Sequence, residues 1–531
     1  MKYIELFAGC GGLSLGLKSS GFTLTLANEL SPMAAESYAF NFLGEDLNQL
    51  ATKAQPPQKT VWLSSNHPTT DLVRRLRENP FNYPSTQVGH CDILPSGKNL
   101  DGALIVGSIV SLNKWLAEHP RARAQIKNSF GKGTVDLVSG GPPCQSFSMA
   151  GLRQKDSEKN SLPWEFAKFA ESIQPKFVLL ENVTGILRPF TGKDGTRYYA
   201  WFELAKAFSQ IGYVPLCLHI NAKFAGVPQN RPRFILLGVR LDILQLLTPT
   251  FNESEKSLFE APLDFFKLAK AGGDVSLDKL TPRDIVNARD RSLFEDSFLS
   301  PLVEHEKFFS VKDAIDDLKS EPPKRSVFAK NLNAIFSAVI PSRKLFNHEL
   351  RTNNALVKRR FRLYQILEKQ PAEVKKAVLA VLKGISDELS TAAWNSIKTQ
   401  EFLLPTGKFG LIKSKSDFLN FLDAHGTKKQ TQKALNENQP APATLSIPDD
   451  ACHYDVNHLR TLTVREMARI QSFPDNFVFR SKITTGGQMR SFEVPQYTQV
   501  GNAVPPLLGR ALGRSVANLL RRLTPENTHE I

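Results

Sequence analysis

The sequence predicts an α/β fold with a doubly wound, mostly parallel sheet and a second, smaller domain. Short apolar runs alternate with helical patterns of apolar residues as far as Arg240. A glycine-rich turn joins the first apolar run to the first helical pattern. The alternation stops after Arg240 and resumes at His458, so we expect the intervening residues to form a separate domain.

The elements follow from the spacing of apolar residues, which is continuous in buried strands and three or four positions apart in helices. The first helix is predicted directly after the glycine turn, from Leu13 to Leu17. A threonine cap marks the start of the helix at Thr463, and two prolines open the last helix. The predicted strands are Tyr3–Phe7, Thr23–Ala27, Val135–Ser139, Phe177–Leu180 and Phe234–Val239, and the other helices are Trp164–Ile173, Trp201–Ile211, Thr463–Ile470 and Val504–Leu523.

Three segments lack this pattern. Residues 44–88 are rich in Pro, Asn, Ser and Thr, and residues 97–131 contain a basic helical stretch. We predict that both are surface insertions in the α/β domain. Residues 427–450 are polar and Pro-rich, which predicts a flexible connection.

Composition excludes several classes of protein. Hydrophobic residues make up 41% and charged residues 22% of the 531 residues, which is typical of a soluble globular protein. No apolar run is long enough to span a membrane, and the N-terminus lacks the apolar core of a signal peptide. The five cysteines form no CxxC pair, which argues against a disulfide scaffold or a zinc site. We therefore expect a cytoplasmic protein without a metal.

The charge balance indicates a polyanionic partner. The chain has 67 Lys and Arg against 52 Asp and Glu, a net charge of +15, and nucleic acid is the commonest partner of such proteins. Between Arg351 and Pro440 there are sixteen basic and eight acidic residues. Within this stretch the cluster Lys358-Arg-Arg-Phe-Arg362 is a candidate for contacts to phosphates. The alternative for this cluster is a solvated helix face.

Candidate catalytic residues lie beside three of the predicted strands, two after a strand and two just before one. Cys144 lies on a loop stiffened by two prolines at a strand end, the position of a nucleophile. Glu181 lies at the end of another strand, and the ends of parallel strands share one crevice. Arg231 and Arg233 share one face of an extended segment. The alternatives are a buried structural cysteine and ordinary surface charge.

A second set of residues is suited to a nucleoside cofactor. The turn Phe7-Ala-Gly-Cys-Gly-Gly12 follows a strand and opens a helix, where the backbone can approach a ligand closely. Glu29 ends the second predicted strand, where acidic residues of α/β folds bind ribose hydroxyls. A glycine turn without a ligand and a solvated acid remain the alternatives.

Taken in order, the motifs resemble those of the DNA (cytosine-5)-methyltransferases. The matching residues extend from one end of the chain to the other, but leave out residues 242–455 and the two insertions. They are Phe7-Ala-Gly-Cys-Gly-Gly12, Asn28-Glu29, Asp92-Ile93, Gly141-Pro-Pro-Cys-Gln145, Glu181-Asn-Val183, Gln229-Asn-Arg-Pro-Arg233, Thr463-Val-Arg-Glu-Met-Ala-Arg-Ile-Gln-Ser-Phe-Pro474 and Gln499-Val-Gly-Asn-Ala-Val-Pro505.

The resemblance implies the fold and the reaction. Residues 1–241 would form a Rossmann-like S-adenosylmethionine-dependent catalytic domain, residues 242–455 a DNA target-recognition domain, and residues 456–531 a segment that returns to the catalytic domain. The enzyme would transfer a methyl group to carbon 5 of a cytosine swung out of a DNA duplex, and S-adenosylhomocysteine would be the product. No metal takes part.

The resemblance also assigns roles to individual residues. Cys144 would add to carbon 6 of the base, and Glu181 would hold or protonate N3. Arg233 would hold O2, and Arg231 would support the thiolate and its loop. Phe7 would stack on the adenine of the cofactor, and Glu29 would bind its ribose. Leu30 departs from the family pattern, in which an aromatic residue is frequent at this position. The cofactor set is Phe7, Ala8, Gly9, Gly11, Gly12, Leu13, Glu29, Leu30, Asp92, Ile93, Pro143, Asn502 and Val504.

Double-stranded DNA is the implied partner. The expected DNA contacts are Gln145, Ser146, Lys358, Arg359, Arg360 and Arg362. No regulatory domain precedes the first motif, which favours a bacterial or phage enzyme. We also expect a monomer that acts on nucleoid DNA. By analogy with the family, it would mark host DNA beside a restriction endonuclease or an anti-phage defence system.

Three other functions are compatible with parts of the sequence. A transfer-RNA cytosine methyltransferase shares the scaffold, but its Cys-Phe-Thr signature is missing here. A DNA-binding regulator without activity would not need Cys144, Glu181, Arg231 and Arg233. A nicotinamide dehydrogenase would explain the glycine turn and leave the Pro-Pro-Cys-Gln loop unexplained.

Overall fold

The structure is a computed structural model of the chain, and it describes residues 1–143, 161–191, 197–272, 275–320, 324–337, 345–427, 432–443, 445, 447–448 and 451–523. The strands are β1 (Lys2–Leu6), β2 (Thr23–Glu29), β3 (Thr60–Trp62), β4 (Ala103–Val106), β5 (Leu137–Gly140), β6 (Phe177–Val183), β7 (Phe190–Thr191), β8 (Arg197–Tyr198), β9 (Tyr213–Asn221), β10 (Gln229–Asn230), β11 (Pro232–Arg240), β12 (Arg283–Asp284), β13 (Phe402–Leu403), β14 (Phe409–Gly410), β15 (Lys433–Ala434), β16 (Ala441–Pro442) and β17 (Ala451–Cys452).

The α-helices in the same ranges are α1 (Gly12–Ser19), α2 (Pro32–Tyr38), α3 (Leu47–Thr52), α4 (Leu72–Arg75), α5 (Ile109–Glu118), α6 (Pro120–Lys127), α7 (Leu162–Ile173), α8 (Ala200–Gln210), α9 (Leu241–Leu247), α10 (Glu253–Lys270), α11 (Ala288–Glu295), α12 (Val311–Ile315), α13 (Val327–Ile335), α14 (Ala355–Glu368), α15 (Ala372–Leu382), α16 (Thr391–Ile397), α17 (Lys415–Ala424), α18 (Val464–Ile470), α19 (Gln496–Asn502) and α20 (Pro506–Arg521).

A large sheet organises the molecule, with the strand order β12-β9-β11-β6-β5-β1-β2-β4-β3 in the described part of the chain. Strands β1 to β6 run parallel, whereas β11 is antiparallel to both of its neighbours. Successive residues of β1 point to opposite faces, so Tyr3 packs beneath α1 and α20 while Ile4 packs beneath α5 and α7. Helices on both faces of a mostly parallel sheet confirm the predicted fold class.

The last helix lies directly on the first one. A Cβ atom on Gly16 of α1 would lie 2.3 Å from the backbone nitrogen of Arg510 in α20. A Cβ atom on Gly12 would lie 2.2 Å from the carbonyl oxygen of Val504. Only glycine allows backbones to approach this closely. The C-terminal segment therefore folds back onto the glycine turn, as predicted from its motif.

Both segments predicted as surface insertions contribute strands to the sheet, and the prediction is wrong for those strands. β4 lies between β2 and β3, and its four residues are completely buried. β3 forms the edge of the sheet beyond it. Apolar runs of three or four residues are too short to be distinguished from loop residues by their pattern alone.

The region between the catalytic segments divides between two cores, so its predicted start at residue 242 is corrected. Residues from Ile243 to Leu345 join the core of the large domain, and β12 pairs with β9. A separate core extends from Phe361 to Cys452 and is built by α14, α15, α16 and α17. The small domain thus begins near α14. A helical pattern shows which face is buried but not against which core it packs.

The predicted flexible connection is ordered over residues 432–443. β15 pairs with β17, and β16 pairs with β10 beside the catalytic strands. The backbone of Val311 donates a hydrogen bond of 2.9 Å to the carbonyl oxygen of Gln439. Polar composition alone therefore misled the prediction. None of the described helices is long and apolar enough to cross a membrane.

Candidate active site

Glu181 and Arg233 form a nearly buried ion pair at the carboxyl end of β6. Glu181 lies in β6 and Arg233 in β11, and these strands pair antiparallel. Val183 lies opposite Arg233 and Ile235 opposite Glu181, so the two charged side chains share one face. Nε of Arg233 lies 2.6 Å from Oε1 of Glu181. Nε makes no well-aligned hydrogen bond with the described residues, so the contact is mainly electrostatic. The pair places a carboxyl group and a guanidinium side by side at the carboxyl end of β6.

The loop after β5 leaves the sheet beside this pair. Gly140 lies opposite Leu180 of β6, and a Cβ atom on Gly141 would lie 3.0 Å from Oε2 of Glu181. The side chain of Asn182 donates a hydrogen bond of 3.2 Å to the carbonyl oxygen of Pro142. Pro143 is exposed and ends this described range. Cys144, Gln145 and Ser146 lie outside the described residues.

Arg231 is buried between β10 and β11, but its guanidinium contacts backbone carbonyls. Nη2 donates to the carbonyl oxygens of Gly501 at 2.9 Å and Ala503 at 3.1 Å, and Nη1 donates to that of Ala443 at 3.3 Å. Burial and the neighbouring Arg233 hold the pKa of Arg231 well below its ordinary value. Nε is buried without a hydrogen-bond partner among the described residues, which leaves it for the predicted role toward the thiolate loop.

The glycine turn adopts a backbone that favours glycine. Gly9 has φ +56° and Gly11 has φ +98°, and Phe7 shares this left-handed region at φ +56°. A Cβ atom on Gly9 would have no atom within 4 Å, so space is open beside it. A Cβ atom on Gly11 would collide with the ring of Phe42. The turn therefore presents backbone to an open space on one side and is packed on the other.

Glu29 binds the glycine turn directly. Its Oε2 accepts a hydrogen bond of 2.8 Å from the backbone of Gly9, and its Oε1 accepts one of 2.7 Å from the backbone of Ser31. Burial raises the pKa of this carboxyl group, and the two backbone donors act against that rise. Each oxygen keeps a lone pair for a further donor, such as a ribose hydroxyl.

The C-terminal motif completes the same edge of the pocket. Val504 is almost buried against Gly12, and Asn502 is exposed. The side chain of Gln499 accepts a hydrogen bond from Ser37 and donates to the carbonyl oxygen of Met33, which fixes α19 to α2. Of the other predicted cofactor residues, Ala8 and Leu13 are buried, whereas Phe7 and Leu30 are partly exposed.

Comparison with known proteins identifies the family. The sequence profile of the C-5 cytosine-specific DNA methylase family matches residues 1–61 and 118–518. The chain belongs to this family. The Type II methyltransferase M.DdeI of Desulfomicrobium norvegicum is 24% identical over 532 residues, covering 97% of this chain and 88% of that protein. The Type II methyltransferase M.AgeI of Thalassovita gelatinovora is 25% identical over 540 residues, covering 97% and 99%.

The protein is thus an enzyme that transfers a methyl group from S-adenosylmethionine to carbon 5 of cytosine in DNA. The residues of the pocket fit this methyl donor. The open space beside Gly9, the carboxylate of Glu29 and the edge formed by Val504 surround the end of α1, whose N-terminus favours a carboxylate such as that of the methionine part. The family profile leaves residues 62–117 of the methyltransferase unmatched.

Asp92 lies in this unmatched segment and contacts Trp62 of β3. Its Oδ2 pairs with Nη1 of Arg75 at 2.5 Å and accepts a hydrogen bond of 3.0 Å from the backbone of Trp62. Its Oδ1 accepts one of 2.6 Å from Thr69. The carboxylate is therefore engaged in holding the segment after β3. Ile93, the next residue, is buried in the core beneath the sheet.

The strand beside β2 is β4, and it places a different residue near Glu29. The backbone of Gly107 donates a hydrogen bond of 2.9 Å to the carbonyl oxygen of Glu29, and the side chain of Asn28 donates to the carbonyl oxygen of Gly107. Ser108 follows at the start of α5, and its hydroxyl accepts from the backbone of Val110. Sequence reasoning missed Ser108, although its run Val-Gly-Ser-Ile after an apolar stretch is a strand–turn–helix signal.

A buried polar cluster behind the glycine turn was also missed. Ser14 of α1 donates a hydrogen bond to the carboxyl group of Glu5 and accepts one of 2.9 Å from the hydroxyl of Tyr3. Tyr38 contacts the same serine hydroxyl at 2.9 Å. Burial raises the pKa of Glu5 to about 8, and the nearby Glu29 adds to this rise. An acidic residue within an apolar strand was the signal in the sequence.

The basic cluster in the small domain is partly structural. Nε of Arg360 donates to the carbonyl oxygen of His425 at 2.7 Å, and its Nη2 donates to that of Gly426. Nε of Arg359 donates to the ring of His425 at 2.8 Å. Arg362 donates to the carbonyl oxygen of Glu401 at 2.8 Å. These arginines bind the C-terminal end of α17 and its surroundings, whereas Lys358 is exposed.

The described part of the chain shows no candidate metal site. Within the described ranges, no group of three or more His, Cys, Asp or Glu side chains is placed to hold a metal ion. The expectation that no metal takes part stays a prediction.

Proposed function

We propose that the methyltransferase modifies one cytosine within a specific double-stranded DNA sequence and protects that sequence from a restriction endonuclease. The type II names of its relatives support this setting. Membership of a DNA methylase family favours DNA over transfer RNA as the substrate. The enzyme would act as a monomer on bacterial DNA in the cytoplasm. If no nuclease or defence gene is encoded beside it, the restriction setting is wrong.

The pair of Glu181 and Arg233 is the observation that supports the base pocket best. Cytosine offers N3 and the exocyclic amino group on one edge and the carbonyl oxygen O2 beside them. In our proposal the protonated carboxyl group of Glu181 donates a hydrogen bond, or its proton, to N3. Arg233 donates to O2, so that negative charge does not build up on the ring. Such a pocket requires the base to leave the duplex, at a cost of roughly a few kcal/mol.

The nucleophile in this proposal is Cys144, whose loop leaves the sheet beside Glu181. Its thiolate would add to carbon 6, and the electrons of the ring double bond would make carbon 5 nucleophilic. S-adenosylmethionine supplies the methyl group that carbon 5 receives. A base then removes the proton of carbon 5, and the thiolate leaves carbon 6 as the double bond forms again.

The cofactor residues are proposed from the geometry around the glycine turn. The backbone of residues 9–12 would face the methionine part, Glu29 would accept from the ribose hydroxyls, and Phe7 would cover the adenine. Asn502 and Val504 would close the opposite edge. Ala8, Leu13, Leu30, Ile93 and Pro143 are proposed as further wall residues. Asp92 and Ile93 would contact the adenine ring, with the carboxylate of Asp92 held by Arg75.

The first test is bisulfite sequencing of a random-sequence duplex treated with the enzyme and S-adenosylmethionine. Protected cytosines within one short motif would support both the reaction and its specificity. Protection at unrelated sites would contradict sequence-specific recognition. No protection, with S-adenosylhomocysteine binding intact, would indicate another substrate or a missing partner.

The covalent step has its own test in Cys144→Ser. This variant is expected to lose methyl transfer, because a serine hydroxyl is a far weaker nucleophile than a thiolate at neutral pH. Binding of S-adenosylhomocysteine should stay within about twofold of the unmodified enzyme. Cys91 is an exposed cysteine outside the base-pocket motifs, so Cys91→Ser is the matched control. Substantial turnover by Cys144→Ser would refute the covalent step.

A further inference from the structure

Three parts of the chain meet at the guanidinium of Arg231. Gly501 and Ala503 belong to the C-terminal motif, and Ala443 follows β16, where the chain returns from the small domain. Arg231 itself lies between β10 and β11, directly before the strand that carries Arg233. Arg231 is only 3% exposed. Hydrogen bonds between a buried guanidinium and carbonyls are stronger than those between neutral groups.

The contact to the C-terminal motif replaces a hydrogen bond that the helix cannot make. α19 ends at Asn502, and the residue four positions after Gly501 is Pro505, which has no N–H group. The amide of Leu507, four positions after Ala503, donates instead to the hydroxyl of Ser472. The carbonyl groups of Gly501 and Ala503 therefore depend on Arg231, and these residues alternate with Asn502 and Val504.

Gln229 reinforces the contact between Arg231 and the segment around Ala443, where the chain returns from the small domain. Gln229 donates a hydrogen bond of 2.9 Å from Nε2 to the carbonyl oxygen of Pro442, and β10 pairs with β16 at the same point. Two residues after Arg231, Arg233 pairs with Glu181. One short segment of chain, residues 229–233, thus contacts the return of the small domain, the C-terminal motif and the carboxylate of the base pocket.

We propose that Arg231 is a positioning residue that holds residues 501–504 against the cofactor and couples cofactor binding to the base pocket. This inference rests on the proposed function for the identity of the two pockets. Arg231 would act through the backbone of the C-terminal motif, in addition to any contact with the loop of Cys144. Arg233, by contrast, would act on the base itself.

The test compares Arg231→Met and Arg231→Lys with Arg233→Lys, using S-adenosylhomocysteine binding by calorimetry in the absence of DNA. We expect Arg231→Met to bind about tenfold more weakly, because both charge-assisted hydrogen bonds to the C-terminal motif are lost together with the one to Ala443. Arg231→Lys should recover part of this affinity, since a single ammonium group can reach one carbonyl. Arg233→Lys should bind within about twofold of the unmodified enzyme.

Amide hydrogen exchange separates positioning from general loss of stability. In Arg231→Met, exchange should rise over residues 499–505 and stay unchanged in β1, β5 and β6. The KM for S-adenosylmethionine should rise about tenfold in Arg231→Met and stay within about twofold in Arg233→Lys. If Arg231→Met does not fold, Arg231→Lys carries the same measurements.

Two results would overturn the proposal. Unchanged S-adenosylhomocysteine affinity together with unchanged exchange over residues 499–505 would show that the carbonyl contacts do not position the motif. A loss of methyl transfer with intact cofactor binding would show that Arg231 acts through the loop of Cys144 and not through the C-terminal motif. Because the binding and exchange measurements need neither DNA nor turnover, an error in the proposed substrate would leave them interpretable.

Discussion

Glu181 and Arg233 show how two residues, 52 positions apart in the chain, make one pocket through strand pairing. Glu181→Gln keeps the shape of the side chain but removes its charge and leaves Arg233 without its partner. We expect kcat to fall at least about 100-fold, a usual magnitude for a residue that holds or transfers a proton. S-adenosylhomocysteine binding should be unchanged. Near-normal kcat in steady-state methylation assays would contradict the role at N3.

Glu5 predicts a dependence of stability on pH. Its pKa rises from 4.5 to about 8 on folding because it is buried, so the native state holds this proton more tightly than the unfolded state. The stability that the bound proton provides is complete below about pH 4.5 and is lost as the pH rises toward 8. Between pH 6 and pH 8 the free energy of unfolding should fall by about 2 kcal/mol.

Glu5→Gln is the matched comparison, because glutamine is neutral at every pH and can still accept a hydrogen bond from Ser14. Urea denaturation of both proteins at pH 6 and pH 8 measures the difference. Between pH 6 and pH 8, the free energy of unfolding of the variant should fall by about 2 kcal/mol less than that of the unmodified protein. Parallel pH dependence in the two proteins would mean that Glu5 does not titrate in this range.

At the scale of elements, the contact of α1 with α20 holds the two ends of the chain together. Gly16→Ala would place a methyl group 2.3 Å from backbone atoms of α20, and backbone cannot move aside as a side chain can. We expect the free energy of unfolding to fall by about 2 kcal/mol, despite the higher helix propensity of alanine. Thermal denaturation measures the change.

Gly486→Ala is the control for this prediction. Gly486 has an extended backbone and no atom within 4 Å of an added Cβ, so its replacement should change stability by less than about 0.5 kcal/mol. Equal effects of the two substitutions would show that the helix contact can relax. The glycines between α1 and α20 would then contribute less to stability than the 2.3 Å approach at Gly16 suggests.

At the scale of the whole molecule, a net charge of +15 favours binding to DNA and makes that binding dependent on salt. Among the four basic residues of the α14 cluster, Lys358 is exposed, whereas Arg360 contacts the end of α17. Lys358→Ala should reduce the slope of log K against log salt by about 0.9, the loss of one phosphate contact. Fluorescence anisotropy over a series of salt concentrations measures this slope.

Arg360→Ala provides the contrast, because its hydrogen bonds to the carbonyl groups of His425 and Gly426 stabilise the small domain. It should lower the free energy of unfolding by about 1 to 2 kcal/mol. Lys358→Ala should leave that free energy nearly unchanged. If Lys358→Ala leaves the salt slope as it was, the phosphate contacts of the small domain lie elsewhere.

The sequence by itself was sufficient for features that depend on short stretches of chain. The glycine turn before α1, the capping threonine of α18 and the order of the motifs are local patterns, and they predicted the fold class and the family. Glu181 and Arg233 could be chosen because each lies at a recognisable position relative to its own strand. The structure then brought them together through the pairing of β6 with β11.

Only the tertiary structure decided which distant segments meet. The short runs of β3 and β4 become strands because neighbours complete their hydrogen bonds, and residues 243–345 join the large core because matching apolar faces lie there. Asp92 is engaged by Arg75, and Arg231 by carbonyl groups about 210 and 270 residues away. Sequence spacing does not reveal such partners, because these ion pairs and hydrogen bonds form only when folding brings the groups within contact distance.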